Sequence, residues 1–587
     1  MTLWTDETAK KGQKVNIYGV TDANGRDWVL GLRDITSKSA LDALVRLKEI
    51  LDDIAELRER LDEPGTNSRR YELLLAIEHT MSDRAATETR FNSLLEAYMN
   101  EVLPLVRETG PMLEGDDMAP VIRLNNFFCG LHDLVHLTET GVAVQREWES
   151  AHYGPGGSPL FHTSCFRSGE SAGSRTIQAA CKAFAAGGDE KNGCHDKFKT
   201  YVRPILQKEY GTSTLPITKF LGARFNILGR NAVYIYGLWK VMIDFLELNA
   251  GNNMLLKSLL HEFKLATTEA QVLVSGLCSK LILTPDWNVH EDKSISMSDM
   301  GPIYAKMISF FDSAAENPSI ILEGQSPFEE KYIDRDIWLD QLLAYNERTD
   351  PLTTILMGQT MASYGIFARR QFRDFLPGGV HANLTKDQVL GVPKTNRKAE
   401  SGFGFWDHLK KRCPSIKPPA AEARILWSMN KTSEWYESLD AEQQKQVMEN
   451  AMKSTPAMLA KSKERERQML ELRAARLQEQ REQVRQKEVK EVQKRMGWVA
   501  KVEALGGLWK SEEEMEAGLK MVVENAGGRG CKGKLLEALK DQMNFRKNIL
   551  QQTGIDAKDW SFSEEKKALD VDQLKAKLAK IINQVLE

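Results

Sequence analysis

The sequence predicts an α/β fold interrupted by a large all-α insertion, on three observations. The first 140 residues alternate between a two-residue and a three-to-four-residue apolar period. Residues 150 to 390 keep only the helical period. A long charged segment then leads to a small helical terminus. Hydrophobic residues make up 42% of the 587, enough for a core. At roughly 150 residues per domain, the length predicts three or four structural units.

Each element follows from its residues. MTLWTDETAKKG reads as a strand closed by a Gly turn, KVNIYGVTD alternates and is rich in β-branched residues, and WVLGLRDI is a third strand. DANGRD, with Asn24-Gly25, is a hairpin signal between the last two, so the three form an antiparallel meander. Ser37 to Ser39 open a helix, ALDALVRLKEILDDIAELRERL, which Pro64-Gly65 stops. YELLLAIEHTMSD is the fourth strand and ends on Asp83. RAATETRFNSLLEAYMNEVLPLV is a helix, VIRLNNFFCG a strand, and LHDLVHLTETGVAVQREWESA a helix. The order βββαβαβα, a meander feeding a parallel half, is that of the ribonuclease H-like fold.

Five regions follow. Residues 1–150 are the first part of that core, and 151–393 are the helical insertion. Residues 394–455 complete the core, opening on the helix RKAESGFGFWDHLKKR. Residues 456–498 are a long charged helix, and 499–587 a small basic helical unit. From Lys461 to Met496 twelve Lys or Arg stand against seven Glu, and Leu470, Leu477 and Val484 are seven apart. That pattern fits a coiled coil or a solvated spacer.

Composition narrows the function. Net charge is -3, so any basic surface is local. Seven Cys, an odd and sparse set, fit a reducing compartment. No apolar run reaches the length of a membrane span and no signal-peptide layout opens the chain, so the expectation is nuclear or cytoplasmic, not secreted, with no membrane.

Three constellations could carry chemistry. In the ribonuclease H-like fold one acid sits on the first strand and another at the end of the fourth, where Asp6 and Asp83 fall. A third, at the start of a helix beside the sheet, would complete a site for two Mg²⁺ or Mn²⁺ ions, which prefer carboxylate oxygens. Glu400 is the candidate, with Asp374 and Glu422 as alternatives. CGLHDLVH places Cys129, His132 and His136 at metal-ligand spacing, and HTSC adds His162 and Cys165. Cys129, His132, His162 and Cys165 would make a four-ligand Zn²⁺ site, or the motif is a buried thiol and helix-packing histidines. Lys532, Lys534, Lys540, Arg546 and Lys547, with Arg529, form a basic cluster able to track nucleic-acid phosphates. GRGCKGKL matches half of a phosphate loop at Gly528, Gly533 and Lys534. Leu535 stands where Ser or Thr is needed and no strand precedes it, which excludes the motif.

Four stretches carry a family resemblance: TDETAKKG, VLGLRDITSKSALDALVRLKEIL, TMSDRAA and NFFCGLHDLVHL, followed at long range by AESGFG. In this order and spacing the chain resembles hAT-like DNA transposases and their host-captured or decayed descendants, over roughly residues 1 to 450. The resemblance implies a DDE-type site of Asp6, Asp83 and Glu400, metal-dependent DNA cleavage and strand transfer, and a homo-oligomer acting on DNA. It makes Cys129 and His132 the family's C-x-x-H signature. It also implies a zinc-finger domain before the core. With Asp6 so near the start, the expectation is that this domain is missing. The alternative is a catalytically silent, helix-rich scaffold that binds DNA or protein.

Overall fold

The computed structural model describes residues 1–10, 12–61, 69–109, 122–154, 170–222, 226–527, 531–564 and 567–584. The fold is mixed α/β and mostly helical, with one five-stranded mixed sheet near the N-terminus. The described chain divides into two compact units, Met1–Ser462 and Lys463–Glu587.

The meander forms first. β1 (Thr2–Lys10) pairs antiparallel with β2 (Gln13–Thr21) over nine residue pairs, and β2 with β3 (Asp27–Asp34). The β2–β3 turn is the Asn-Gly turn the sequence signals. Gly25 sits at φ +73°, and Asp22 Oδ1 accepts from the amides of Asn24 and Arg26. β4 (His79–Ser82) and β5 (Asn125–Phe128) add in parallel, giving the order β3-β2-β1-β4-β5.

Both parallel strands are shorter than their apolar runs. Within YELLLAIEHTMSD the first part is not strand. It belongs to a short helix, α2 (Arg69–Leu75), which drops Leu74 into the core. A short apolar run has no period that separates strand from buried helix, and here only four residues find a partner strand.

The two faces of the sheet are covered differently. Leu3, Tyr18 and Val20 pack against α1 (Ala40–Leu61) and α3 (Ala86–Thr109) through Leu44, Leu47, Ile50, Phe91 and Leu95. Trp4, Ile17, Met81 and Phe127 face the other way, into a core shared with α4 (Gly130–Tyr153) and a helical body. That body comprises α5 (Ala172–Phe184), α6 (His195–Tyr210), α7 (Ile227–Gly237), α8 (Trp239–Asn249) and α9 (Met254–Phe263). It continues through α10 (Ala266–Cys278), α11 (Thr284–Glu291), α12 (Met300–Glu316), α13 (Ser319–Leu322), α14 (Ile337–Leu343) and α15 (Asp350–Gln371). α10 is its axis: every residue from Thr267 to Cys278 is buried, as expected of a helix without a polar face.

The chain then returns to the sheet. α16 (Arg397–Arg412) lies on β1 and β2, and Gly402 makes this possible. A Cβ there would come within 2.3 Å of Ile17 Cδ1. After α17 (Pro418–Met429), Asn430 donates to the Val29 carbonyl and accepts from the Val29 amide, while Glu422 accepts from the Leu32 amide. These side chains occupy the open edge of β3. A short α18 (Thr432–Glu437) precedes α19 (Ala441–Ala504), whose 64 residues are mostly exposed.

The second compact unit has its own core. Trp509, Met515, Leu539, Met543, Leu574 and Leu578 join α20 (Glu512–Asn525), α21 (Cys531–Asn548) and α22 (Val571–Gln584). β6 (Ser563–Glu564) and β7 (Lys567–Ala568) make a two-stranded ribbon between the last two helices.

Candidate active site

The site is built where β1 and β4 stop pairing. Their parallel register runs from Thr2↔His79 to Trp4↔Met81. Two steps further along, the same register brings Asp6 level with Asp83, the residue after β4. Alternation puts Asp6 on the side of Trp4, and its cross-strand partner Ile17 packs against Gly402 of α16. Glu400 lies in the first turn of that helix.

Charge links the three acids. Asp6 is buried, and its carboxyl is held well above the usual carboxylate range, first by burial, then by Glu400, then by Asp83. An amide hydrogen bond from Glu7 to Asp6 Oδ1, at 2.8 Å, opposes the rise. Asp83 is half-buried and accepts from the Ala85 amide at 3.0 Å; Glu400 is half-buried. The alternatives to Glu400 are committed elsewhere. Asp374 pairs with Arg84 at 2.6 Å, and Glu422 pairs with Arg33.

His132 borders the same acids. Burial lowers its pKa, while Asp83 and Glu400 pull it back up. Cys129 is buried, and burial pushes its thiol up to about 12, so the sulfur stays protonated. It accepts a hydrogen bond from the Asn396 amide at 3.1 Å. Cys129 is thus a hydrogen-bonded core thiol at the end of β5. His136 is exposed beside Glu139, and His162 and Cys165 lie outside the described residues.

Among the described residues, no group of three or more His, Cys, Asp or Glu is placed to hold a metal ion. The donor set still fits Mg²⁺ or Mn²⁺ in kind. Its atoms are hard carboxylate oxygens, and a buried acid raised by two others is relieved by a cation. A bound ion therefore requires the three side chains to draw together. For Zn²⁺, Cys129 and His132 are joined by no third ligand among the described residues.

Two further residues belong to this neighbourhood and carry no sequence signal. Glu88, buried in the first turn of α3, is pushed up to about 7 by burial, against a hydrogen bond from Thr5 and with Asp83 adding. Asn396, before α16, donates its side-chain amide to the Thr5 carbonyl at 2.8 Å.

In the second unit, Lys532, Lys534 and Lys547 are exposed, and Lys540 lies over the Phe562 ring. Arg546 is corrected. It is buried and donates to the Trp509 carbonyl, so it holds the core of its unit and offers nothing to a phosphate. Arg529 and Gly528 lie outside the described residues.

No protein-family model, no curated protein and no solved structure matches the chain. Among the described residues no helix is long and apolar enough to cross a membrane.

Proposed function

We propose that this chain is transposase-derived: a ribonuclease H-like core of the hAT-like type, split by a helical insertion, with a DDE-type site for metal-dependent DNA cleavage and strand transfer. The observation that carries this reading is the register: the β1–β4 pairing brings Asp6 level with Asp83, and Glu400 lies in the first turn of the helix that packs on β1 and β2. The sheet order β3-β2-β1-β4-β5, with three parallel strands at one end, supports the fold reading.

Asp6, Asp83 and Glu400 would hold Mg²⁺ or Mn²⁺. Such ions supply Lewis acidity to the entering and leaving oxygens of a phosphodiester. The protein's own residues set the geometry. β1 fixes Asp6 rigidly, Asp83 hangs from the end of β4, and α16 delivers Glu400 across the sheet edge. His132 stands beside Asp83 and Glu400, where an imidazole N–H can orient a phosphate oxygen. Lys532, Lys534 and Lys547 offer exposed charge to a DNA backbone, and the chain would act as a homo-oligomer on DNA.

A second reading, the scaffold, rests on α19, which leaves Leu470, Leu477 and Val484 more than half exposed along one helix. Incubation of the purified chain with supercoiled DNA and Mn²⁺, beside Asp83→Ala, separates the two. Nicking that disappears in the variant upholds the nuclease. A folded wild-type chain that leaves the DNA intact while binding it, or while self-associating, passes the function to the scaffold.

A further inference from the structure

We infer that Thr5 is the hub of a clamp that sets the spacing of the three acids, with Glu88 and Asn396 as its two jaws. The inference goes beyond the proposed site residues, because none of these three side chains is a metal ligand or a reacting group.

The geometry is specific. The Thr5 hydroxyl donates to Glu88 Oε2 at 2.7 Å, and the Thr5 carbonyl accepts from Asn396 Nδ2 at 2.8 Å. Thr5 precedes Asp6 on β1. Glu88 lies in the first turn of the helix that follows Asp83, and Asn396 lies one helical turn before Glu400. The residue next to the first acid is therefore bonded to one neighbour of each other acid, from opposite faces of the sheet. All three are buried, at 3%, 6% and 1% exposure, so neither bond competes with water. Asn396 also fixes the third direction, since its backbone amide donates to Cys129 Sγ at the end of β5.

The three carboxylates come from three separate elements, and the clamp ties the residue beside the first to a residue close to each of the other two. Thr5, Glu88 and Asn396 hold the elements while leaving the carboxylates free to move the last short distance. They are positioning residues.

The test uses the full chain and four proteins: wild type, Thr5→Val, Thr5→Ser and Asn396→Ala. Thr5→Val keeps the β-branched shape and removes only the hydroxyl. In Mn²⁺-dependent cleavage, Thr5→Val and Asn396→Ala lower kcat by about ten- to a hundredfold, the scale of a small misplacement, and leave KM for DNA within about twofold. Thr5→Ser restores the hydroxyl and returns kcat to the wild-type range. Thr5→Val at the wild-type rate, or Thr5→Ser as impaired as Thr5→Val, overturns the clamp. The second readout needs no activity. Iodoacetamide labelling of Cys129, followed by mass spectrometry well below the melting temperature, is about tenfold faster in Asn396→Ala. If wild type itself does not cleave, the nuclease reading falls and this labelling decides the clamp alone: faster labelling upholds it and an unchanged rate overturns it.

Discussion

Asp6 and Arg546 are both buried ionisable residues, one in each compact unit, and they have opposite meanings. Arg546 donates to the Trp509 carbonyl, and burial alone lowers its pKa. Asp6 is raised by burial and again by two acids from distant parts of the chain. Burial of a charge is thus no mark of a site. Burial of a charge beside like charges is what the proposed site requires, and packing alone gives no reason to assemble them.

Asp6→Asn is expected to separate the two most sharply. It removes the buried charge and keeps the shape, so the melting temperature rises while DNA cleavage falls by about 10³-fold, the scale of losing one group that stabilises a transition state. A fall in both would place Asp6 with Arg546 as a structural residue. Arg546→Met is the converse. It strands the Trp509 carbonyl, and calorimetry should show the second unit losing about 2 kcal/mol while cleavage by the first is unchanged. Loss of DNA binding without loss of stability would instead make Arg546 a binding residue.

Glu88→Gln sharpens it through pH. The folded-state pKa of Glu88 is raised from 4.5 to about 7, so its stabilising contribution is complete below pH 4.5 and lost as pH rises through about 7. Denaturant unfolding should therefore find the variant more stable than wild type by about 3 kcal/mol at pH 8, and level with it at pH 4. An equal gap at both pH values would remove charge as the cause. The smallest effect belongs to the exposed Lys534. Lys534→Ala should change stability by less than about 0.5 kcal/mol, and salt titration of DNA binding should show a slope shallower by about one.

Much of the sheet side was legible. α1 and α16 span the residues their apolar periods and flanking loops mark out, and the Asn-Gly turn joins the strands it signals. Periodicity speaks of neighbours three or four residues apart, and these elements are decided at that range. What stayed illegible was decided at long range. Whether Tyr71 to Leu75 became strand or helix depended on how many residues β4 could pair. Arg546 has the local pattern of any basic residue on an amphipathic helix, and its bond to the Trp509 carbonyl, 37 residues away, makes it a core residue. Glu88 and Asn396 matter only because both meet Thr5, a contact no local pattern encodes.

The closed edge of β3 has a consequence for synthesis on the ribosome. Asn430 and Glu422 cap a strand that ends at Asp34, so the strand is synthesised long before the residues that cover its edge. Between the last sheet residue, Phe128, and Asn430 lie about 300 residues, roughly 15 to 60 s of translation at typical rates. A sheet that forms during that interval has an open strand edge, a template for pairing with another chain. Demand for a chaperone should thus peak midway through translation and subside once α17 emerges.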